Sequence, residues 1–354
     1  MSIVVVAVPT ALAVRPLRGS WRLGQLSWRL GMQINEVPAL AMVWVLAVTA
    51  LAAWQGGLTS PTGATGLALA VLTLVGLTVI LVRGLRAPRA VSQALTAGLG
   101  VTRRVRVSLL PAILAPLRVR RRDVEHVRDV SYGGAGRANL LDTYTPRDGV
   151  RRGPCLVYFH GGGYYTGEKD REARALLYEL ASQGWLCVSA NYRRTRDGGR
   201  WPDMLDDAHA AVAWTRAAAG TDGAPPVFVA GSSAGAHLAA MTALTDRTLV
   251  GAVCLYGFYD TPGWIDRDPA AESAPIDLVD ADAPAFLVAH GSADSFASAA
   301  GARAFGEKLR GVSQRPVVYA ELPGGQHTFD LYASPRFRAV VAGVEQFAAA
   351  VLET

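Results

Sequence analysis

Residues 227–240 read VFVAGSSAGAHLAA: a β-prone apolar run, a glycine, two serines, a second glycine, then a helix-forming run. A strand passing directly into a helix through Gly231-Ser232-Ser233-Ala234-Gly235 matches the pattern G-x-S-x-G. The glycines frame one serine, with Gly231 two positions before Ser233 and Gly235 two positions after it. A nucleophile on so sharp a turn takes a strained backbone, and neighbours two residues away must lack bulk for the chain to pass. Ser233, rather than Ser232, is therefore the serine expected to be exposed. It would sit at a helix start, where backbone N–H groups point at developing negative charge.

The surroundings of this turn are those of an α/β domain. From residue 124 onwards, short β-branched or aromatic runs alternate with helical patterns, and the candidate strands are VEHVRDVSYG, NLLDTYTP, CLVYFHG, LCVSANY, VFVAGS, AVCLYGF, AFLVAHG and VVYAELPG. Two opening strands followed by repeated βα units predict a mostly parallel eight-stranded sheet with helices on both faces. No internal repeat is visible.

A serine is a poor nucleophile until a base takes its proton, and the base must be oriented by a carboxylate. Of the six histidines, His126 precedes the sheet, His160 begins HGGG, His209 and His237 fall within helical patterns, and His290 ends a strand. His327, in LPGGQHTFD, falls in a loop just beyond the last strand, at the sheet edge where α/β proteins keep their chemistry, and is the expected base. AFLVAHGSADSF places Asp294 just after a strand as the expected acid, in the order Ser, Asp, His; Asp260, Asp280, Asp282 and Asp330 are rivals. A tetrahedral intermediate also needs preorganised donors. Gly161 and Gly162 of HGGG, with Ala234 after the nucleophile, are the expected oxyanion donors; Gly163 is the alternative to either glycine, and His160 braces the loop.

HGGGY, GSSAG, HGSAD and GGQHTF, in that order, resemble the α/β-hydrolase esterases and lipases of the hormone-sensitive-lipase type, particularly bacterial carboxylesterases. The resemblance covers roughly residues 124–354. NYRR followed by WPDMLDDAHAAVAW is similar to that family's segment between oxyanion loop and nucleophile. It implies hydrolysis of carboxylic esters through an acyl-enzyme, without metal or cofactor. Residue by residue it implies Ser233 as nucleophile, Asp294 as orienting acid, His327 as base and the HGGG glycines as oxyanion donors. Two departures stand out: many relatives carry a helical cap ahead of HGGG where this chain has an uncharged stretch, and the residues after Asp294 lack the Val or Pro expected downstream.

The formal charge of +6 on 354 residues is unevenly placed. Residues 1–36 carry Arg15, Arg18, Arg22 and Arg29 against Glu36, and residues 83–128 carry eleven arginines against Asp123 and Glu125, a net +3 and +9. The remainder therefore sums to −6 (6 − 3 − 9), a distribution that argues against a nucleic-acid partner. Between the basic flanks, Val37 to Val82 holds no Asp, Glu, Lys, Arg or His over 46 residues. The Gly/Pro/Ser/Thr cluster QGGLTSPTGAT divides it into runs 37–54 and 64–82. As helices these span about 27 to 29 Å, close to the hydrocarbon thickness of a bilayer.

The expected organisation is a basic interfacial segment (1–36), two transmembrane helices (37–54 and 64–82), a basic juxtamembrane segment (83–123) lying along an anionic surface, and a catalytic domain (124–354). Arginines on both outer flanks and none in the connector place the catalytic domain in the cytoplasm. Cys155, Cys187 and Cys254 each sit in an apolar strand-like run, which reads as three reduced core residues. The functional expectation is a membrane-anchored serine carboxylesterase or lipase acting on a small-molecule or lipid ester. Its rivals are an acyltransferase using the same triad with a non-water acceptor, and a hydrolase-like domain that binds without turnover. Acyl length, alcohol part and oligomeric state are not encoded legibly.

Overall fold

The computed structural model describes residues 3–220, 225–260 and 274–353; Met1, Ser2 and Thr354, the ends of the first and last expected segments, lie outside the described residues. The N-terminal part of the chain is helical: α1 (Val4–Val14), α2 (Trp21–Glu36), α3 (Pro38–Trp54) and α4 (Pro61–Leu85) are followed by α5 (Ala87–Leu99) and a short α6 (Leu109–Leu114). Ser20 caps α2 and Ser60 caps α4 by accepting backbone N–H groups, and proline opens α3 and α4 at positions whose N–H would be unpaired anyway.

Eight strands follow: β1 (Val124–Ser131), β2 (Leu140–Pro146), β3 (Cys155–Phe159), β4 (Leu186–Ala190), β5 (Val227–Ser232), β6 (Gly251–Leu255), β7 (Ala285–Gly291) and β8 (Val317–Leu322). They form one sheet in the order β1-β2-β4-β3-β5-β6-β7-β8. β1 and β2 pair antiparallel, β2 joins β4 antiparallel, and every later pairing is parallel. Strands buried on both faces need no polar alternation, which is why β3 to β7 read as continuous apolar runs. The helices α7 (Arg174–Ser182), α8 (Trp201–Ala219), α9 (Ala234–Thr245), α10 (Ala299–Val312) and α11 (Pro335–Leu352) cover it. One face packs on Leu176, Leu177, Phe337, Val340 and Val344 of α7 and α11. The other packs on Met204, Val212, Leu238, Met241 and Phe305 of α8, α9 and α10.

The juxtamembrane expectation for residues 83–123 changes at its first helix. Ala87, Val91, Ala94 and Leu95 of α5 recur at i, i+4, i+7 and i+8 and are buried in the same core as the sheet. The body built on the sheet thus begins at Ala87, well before Val124, because an amphipathic helix that faces a sheet and one that faces a membrane share the same periodicity. With only Arg86 irregular, α4 and α5 make one helical run, Pro61–Leu99, of 39 residues, long and apolar enough to cross a membrane. The first apolar run is shorter as a helix: α3 has 17 residues and joins α2 across an 85° bend. The N-terminal run forms α1 and packs against α2 and α4, and Val6, Ala13, Val45, Ala70, Leu77 and Ile80 form a small cluster.

Candidate active site

Ser233 sits at the junction of β5 and α9 with φ 55° and ψ −119°, a conformation that L residues adopt only under strain of about 1 to 3 kcal/mol. Its backbone N–H is held by the Leu255 carbonyl at 2.9 Å, which pins the turn to β6. The flanking glycines are required by close approach. A Cβ on Gly231 would lie 2.0 Å from the Gly235 carbonyl oxygen, and one on Gly235 would lie 2.0 Å from the Phe159 carbonyl oxygen. Ser232 points the other way and is fully buried, donating to Asp330 Oδ2 at 2.5 Å and accepting from the Tyr158 hydroxyl at 2.8 Å.

The loops after β7 and β8 bring two more side chains into line. His327 Nε2 lies 2.9 Å from Ser233 Oγ, and His327 Nδ1 lies 2.8 Å from Asp294 Oδ2. Asp294 is fixed in turn, since its Oδ1 accepts the backbone N–H groups of Phe296 at 2.9 Å and Ala297 at 2.8 Å. His290 Nε2 stands 3.3 Å from Asp294 Oδ2. Burial alone would push the Asp294 carboxyl up, but the facing His327 and the hydrogen bonds from His290 and His327 outweigh it and hold the group well below the usual carboxylate range. Of the rival acids, Asp280 pairs with Arg247 at 2.6 Å, and Asp330 lies beneath the nucleophile on Ser232 and the Tyr256 hydroxyl.

The HGGG loop follows β3. His160 Nδ1–H donates to the Gly161 carbonyl at 2.7 Å, its own carbonyl accepts the Tyr192 hydroxyl at 2.7 Å, and its ring stacks on Tyr192. Burial lowers its pKa, which keeps the imidazole neutral. Gly161, expected as an oxyanion donor, has its N–H committed elsewhere: it donates to the buried Glu172 carboxylate, Oε2, at 2.6 Å. The N–H groups of Gly162 and Gly163 carry no hydrogen-bond acceptor among the described residues, and both glycines have positive φ, 126° and 63°. The uncommitted N–H groups of the loop are thus those of Gly162 and Gly163, one residue along from the expected pair, and Ala234 opens α9.

Sequence reasoning missed what lies above the site. The helix α2 covers it: the Trp28 ring stands edge-on to His327 at 5.5 Å and tilted against Phe296 at 4.8 Å. Trp28 Nε1–H donates to Thr328 Oγ1 at 3.1 Å, and Ser295 Oγ–H donates to the Gly24 carbonyl at 2.9 Å. At the end of α2, Glu36 is buried against Arg336 and accepts the Ser334 hydroxyl at 2.6 Å. Tyr256, Phe258 and Phe296 complete the wall around His327, and Ser233 is left 5% exposed. No group of three or more His, Cys, Asp or Glu side chains is placed to hold a metal ion among the described residues.

The BD-FAE family profile matches residues 141–256, the span from β2 through the nucleophile turn to the end of β6. A Mycobacterium tuberculosis protein named "Probable carboxylic ester hydrolase LipM" is 35% identical over a 400-residue alignment covering 99% of this chain and 92% of that protein. Esterase LipC of the same organism is 36% identical over 265 residues, covering 64% of this chain and 65% of LipC. Among solved structures, butyrate-bound esterase Est2 of Thermogutta terrifontis superposes on 64% of this chain and 94% of its own with a TM-score of 0.54 at 22% identity, a likeness of fold.

Proposed function

The chain belongs to the α/β-hydrolase carboxylic ester hydrolases of the hormone-sensitive-lipase type, and from that membership we propose that it is a membrane-anchored serine esterase working through an acyl-enzyme. The observation that carries the mechanism is the unbroken line Ser233 Oγ, His327 Nε2, His327 Nδ1, Asp294 Oδ2, with both contacts under 3 Å. Ser233 Oγ attacks the ester carbonyl while His327 Nε2 takes its proton. The developing oxyanion receives the N–H groups of Gly162, Gly163 and Ala234, each such donor supplying about 3 to 4 kcal/mol in comparable sites. His327 returns the proton to the departing alcohol, and water repeats the sequence on the acyl-serine. Asp294, held ionised by its own donors, keeps the imidazole in the tautomer that faces the serine.

Anchoring rests on α3 and α4, whose apolar residues face outward: Trp54 is 83% exposed and Leu72 68%. We read them as two spans joined by the connector at Thr59, with the arginine-rich flanks and the catalytic body in the cytoplasm. A cysteine placed at Thr59 should react with a membrane-impermeant maleimide in intact cells, and one at Asp148 only after lysis. Reaction of the Asp148 site in intact cells would put the esterase outside.

A second reading has one observation in its favour. Aromatic rings wall off the nucleophile, so an alcohol acceptor in place of water fits the same chemistry. A series of p-nitrophenyl esters from short to long acyl chains, run on the full-length protein in detergent with and without an added alcohol, tests both. Free acid released by wild type and not by Ser233→Ala supports the hydrolase; acyl transfer that outpaces release supports the transferase.

A further inference from the structure

We propose that a cleft between the N-terminal loop and the inner end of α4 binds the phosphate headgroup of an anionic membrane lipid; this rests on the reading of α4 as a span. The cleft has a volume of about 1000 Å³ and is lined by Arg15, Arg18, Arg83 and Arg86, with Leu17 and Pro323 among its apolar walls. The two pairs of arginines come from segments some seventy residues apart in sequence, so the cluster is made by the fold rather than by a local run. No carboxylate lines it among the described residues.

Two of the arginines are anchored and two are free to turn. Arg83 Nη1 donates to the Val14 carbonyl at 2.8 Å, and Arg18 Nη2 donates to the Ser292 carbonyl at 3.1 Å. The Leu17 N–H is held by Ser27 Oγ at 3.1 Å, which ties the loop to α2. Arg15 and Arg86 are exposed. Each guanidinium presents five N–H groups in a planar fork, so most donors of the four remain available to an anion, and a phosphate is the group whose geometry they match bidentately.

Position selects the source. The cleft opens where the 39-residue helical run leaves its apolar half, Pro61–Leu85, and enters the sheet body as α5. A headgroup is the anion present at that depth, where an anionic leaflet attracts arginines by about 1 kcal/mol each. Ser292 and Ala293, in the loop that carries Asp294, form the far wall, and Arg18 also lines the neighbouring cleft that reaches Asp294 and Phe296. An occupied cleft would therefore brace the acid loop from the membrane side.

The test uses the full-length protein in nanodiscs of phosphatidylcholine with or without phosphatidylglycerol, read by native mass spectrometry after release. Wild type is expected to retain phosphatidylglycerol in preference to phosphatidylcholine. The double variant Arg15→Gln/Arg86→Gln should weaken that retention at least about tenfold, the loss of one charge-assisted contact or more, and Arg15→Lys/Arg86→Lys should keep part of it. Equal retention by wild type and the Gln variant overturns the site. Displacement of the lipid by millimolar inorganic phosphate overturns the headgroup assignment in favour of a soluble anion. Alkaline carbonate extraction separates this from the anchoring itself: a wild type that stays in the membrane pellet yet shows no lipid preference sinks the cleft alone, whereas extraction into the supernatant sinks the span.

Discussion

Helices α4 and α9 are built from the same kinds of residue, alanine, leucine, threonine and glycine, and meet opposite fates. Every residue of α9 from Ala234 to Leu244 is buried beneath the sheet and α8. In α4 only Ala70, Thr73, Leu77, Ile80 and Gly84 are buried, while Val71, Leu72 and Val75 are more than half exposed. Apolar composition identifies a core only where a second element covers it. Where none does, as along α3 and α4, it leaves an exposed apolar surface, which under the proposed reading is the one turned to a bilayer.

The two regions nevertheless meet over the nucleophile, so variants on either side distinguish an anchor from a working part. The largest effect belongs to the sheet body: His327→Ala is expected to lower turnover by ~10⁴-fold, and Asp294→Asn by as much or somewhat less. Steady-state ester hydrolysis measures it, and a near-normal Asp294→Asn enzyme would move the acid elsewhere. Next comes the seam. Glu36 is buried on Arg336, so Glu36→Ala leaves an uncompensated guanidinium and should destabilise the protein by about 3 to 5 kcal/mol, whereas a replacement of both partners by apolar residues should restore much of it. Thermal unfolding in detergent reads this, and an unchanged Tm for Glu36→Ala would mean that the helices are only loosely attached.

A smaller effect is expected at the roof of the site. Trp28→Ala removes the edge contact on His327 and the donor to Thr328, and should lower kcat/KM about tenfold, in line with aromatic contacts of roughly 0.5 to 1.5 kcal/mol. If kcat/KM is unaffected, α2 is an anchor and no more. The smallest effect concerns pH. Burial, then the charge of Glu172, raises the Asp330 carboxyl to about 7. Because the folded pKa lies above the ordinary value, the protonated group's contribution to stability is complete below about pH 4 and is lost as pH rises through about 7. Wild type should therefore lose more Tm than Asp330→Asn between pH 5 and 8, on the order of several degrees. Parallel losses in the two proteins would remove Asp330 as the source.

The sheet was legible because its signals are local. Eight β-branched or aromatic runs bounded by turns mark the eight strands, and the spacing of Gly231 and Gly235 singles out Ser233 by the bulk each glycine avoids. What escaped the sequence depends on contacts hundreds of residues apart. Trp28 meets Thr328, and Glu36 meets Arg336, across separations of 300 residues that leave no periodic trace. Glu172 takes the Gly161 N–H, a partnership that no motif around HGGG announces and that leaves the N–H groups of Gly162 and Gly163 as the uncommitted ones in the loop. Helix α5 carried a readable amphipathic pattern, but periodicity reports that a face is apolar and not what covers it.

The acyl group is expected on Ser233 and not on its buried neighbour Ser232. Full-length protein treated with a fluorophosphonate probe and digested for peptide mass spectrometry tests it directly. A single adduct on Ser233 is expected, lost in Ser233→Ala and retained in Ser232→Ala. Labelling of the Ser233→Ala protein at wild-type intensity would contradict it.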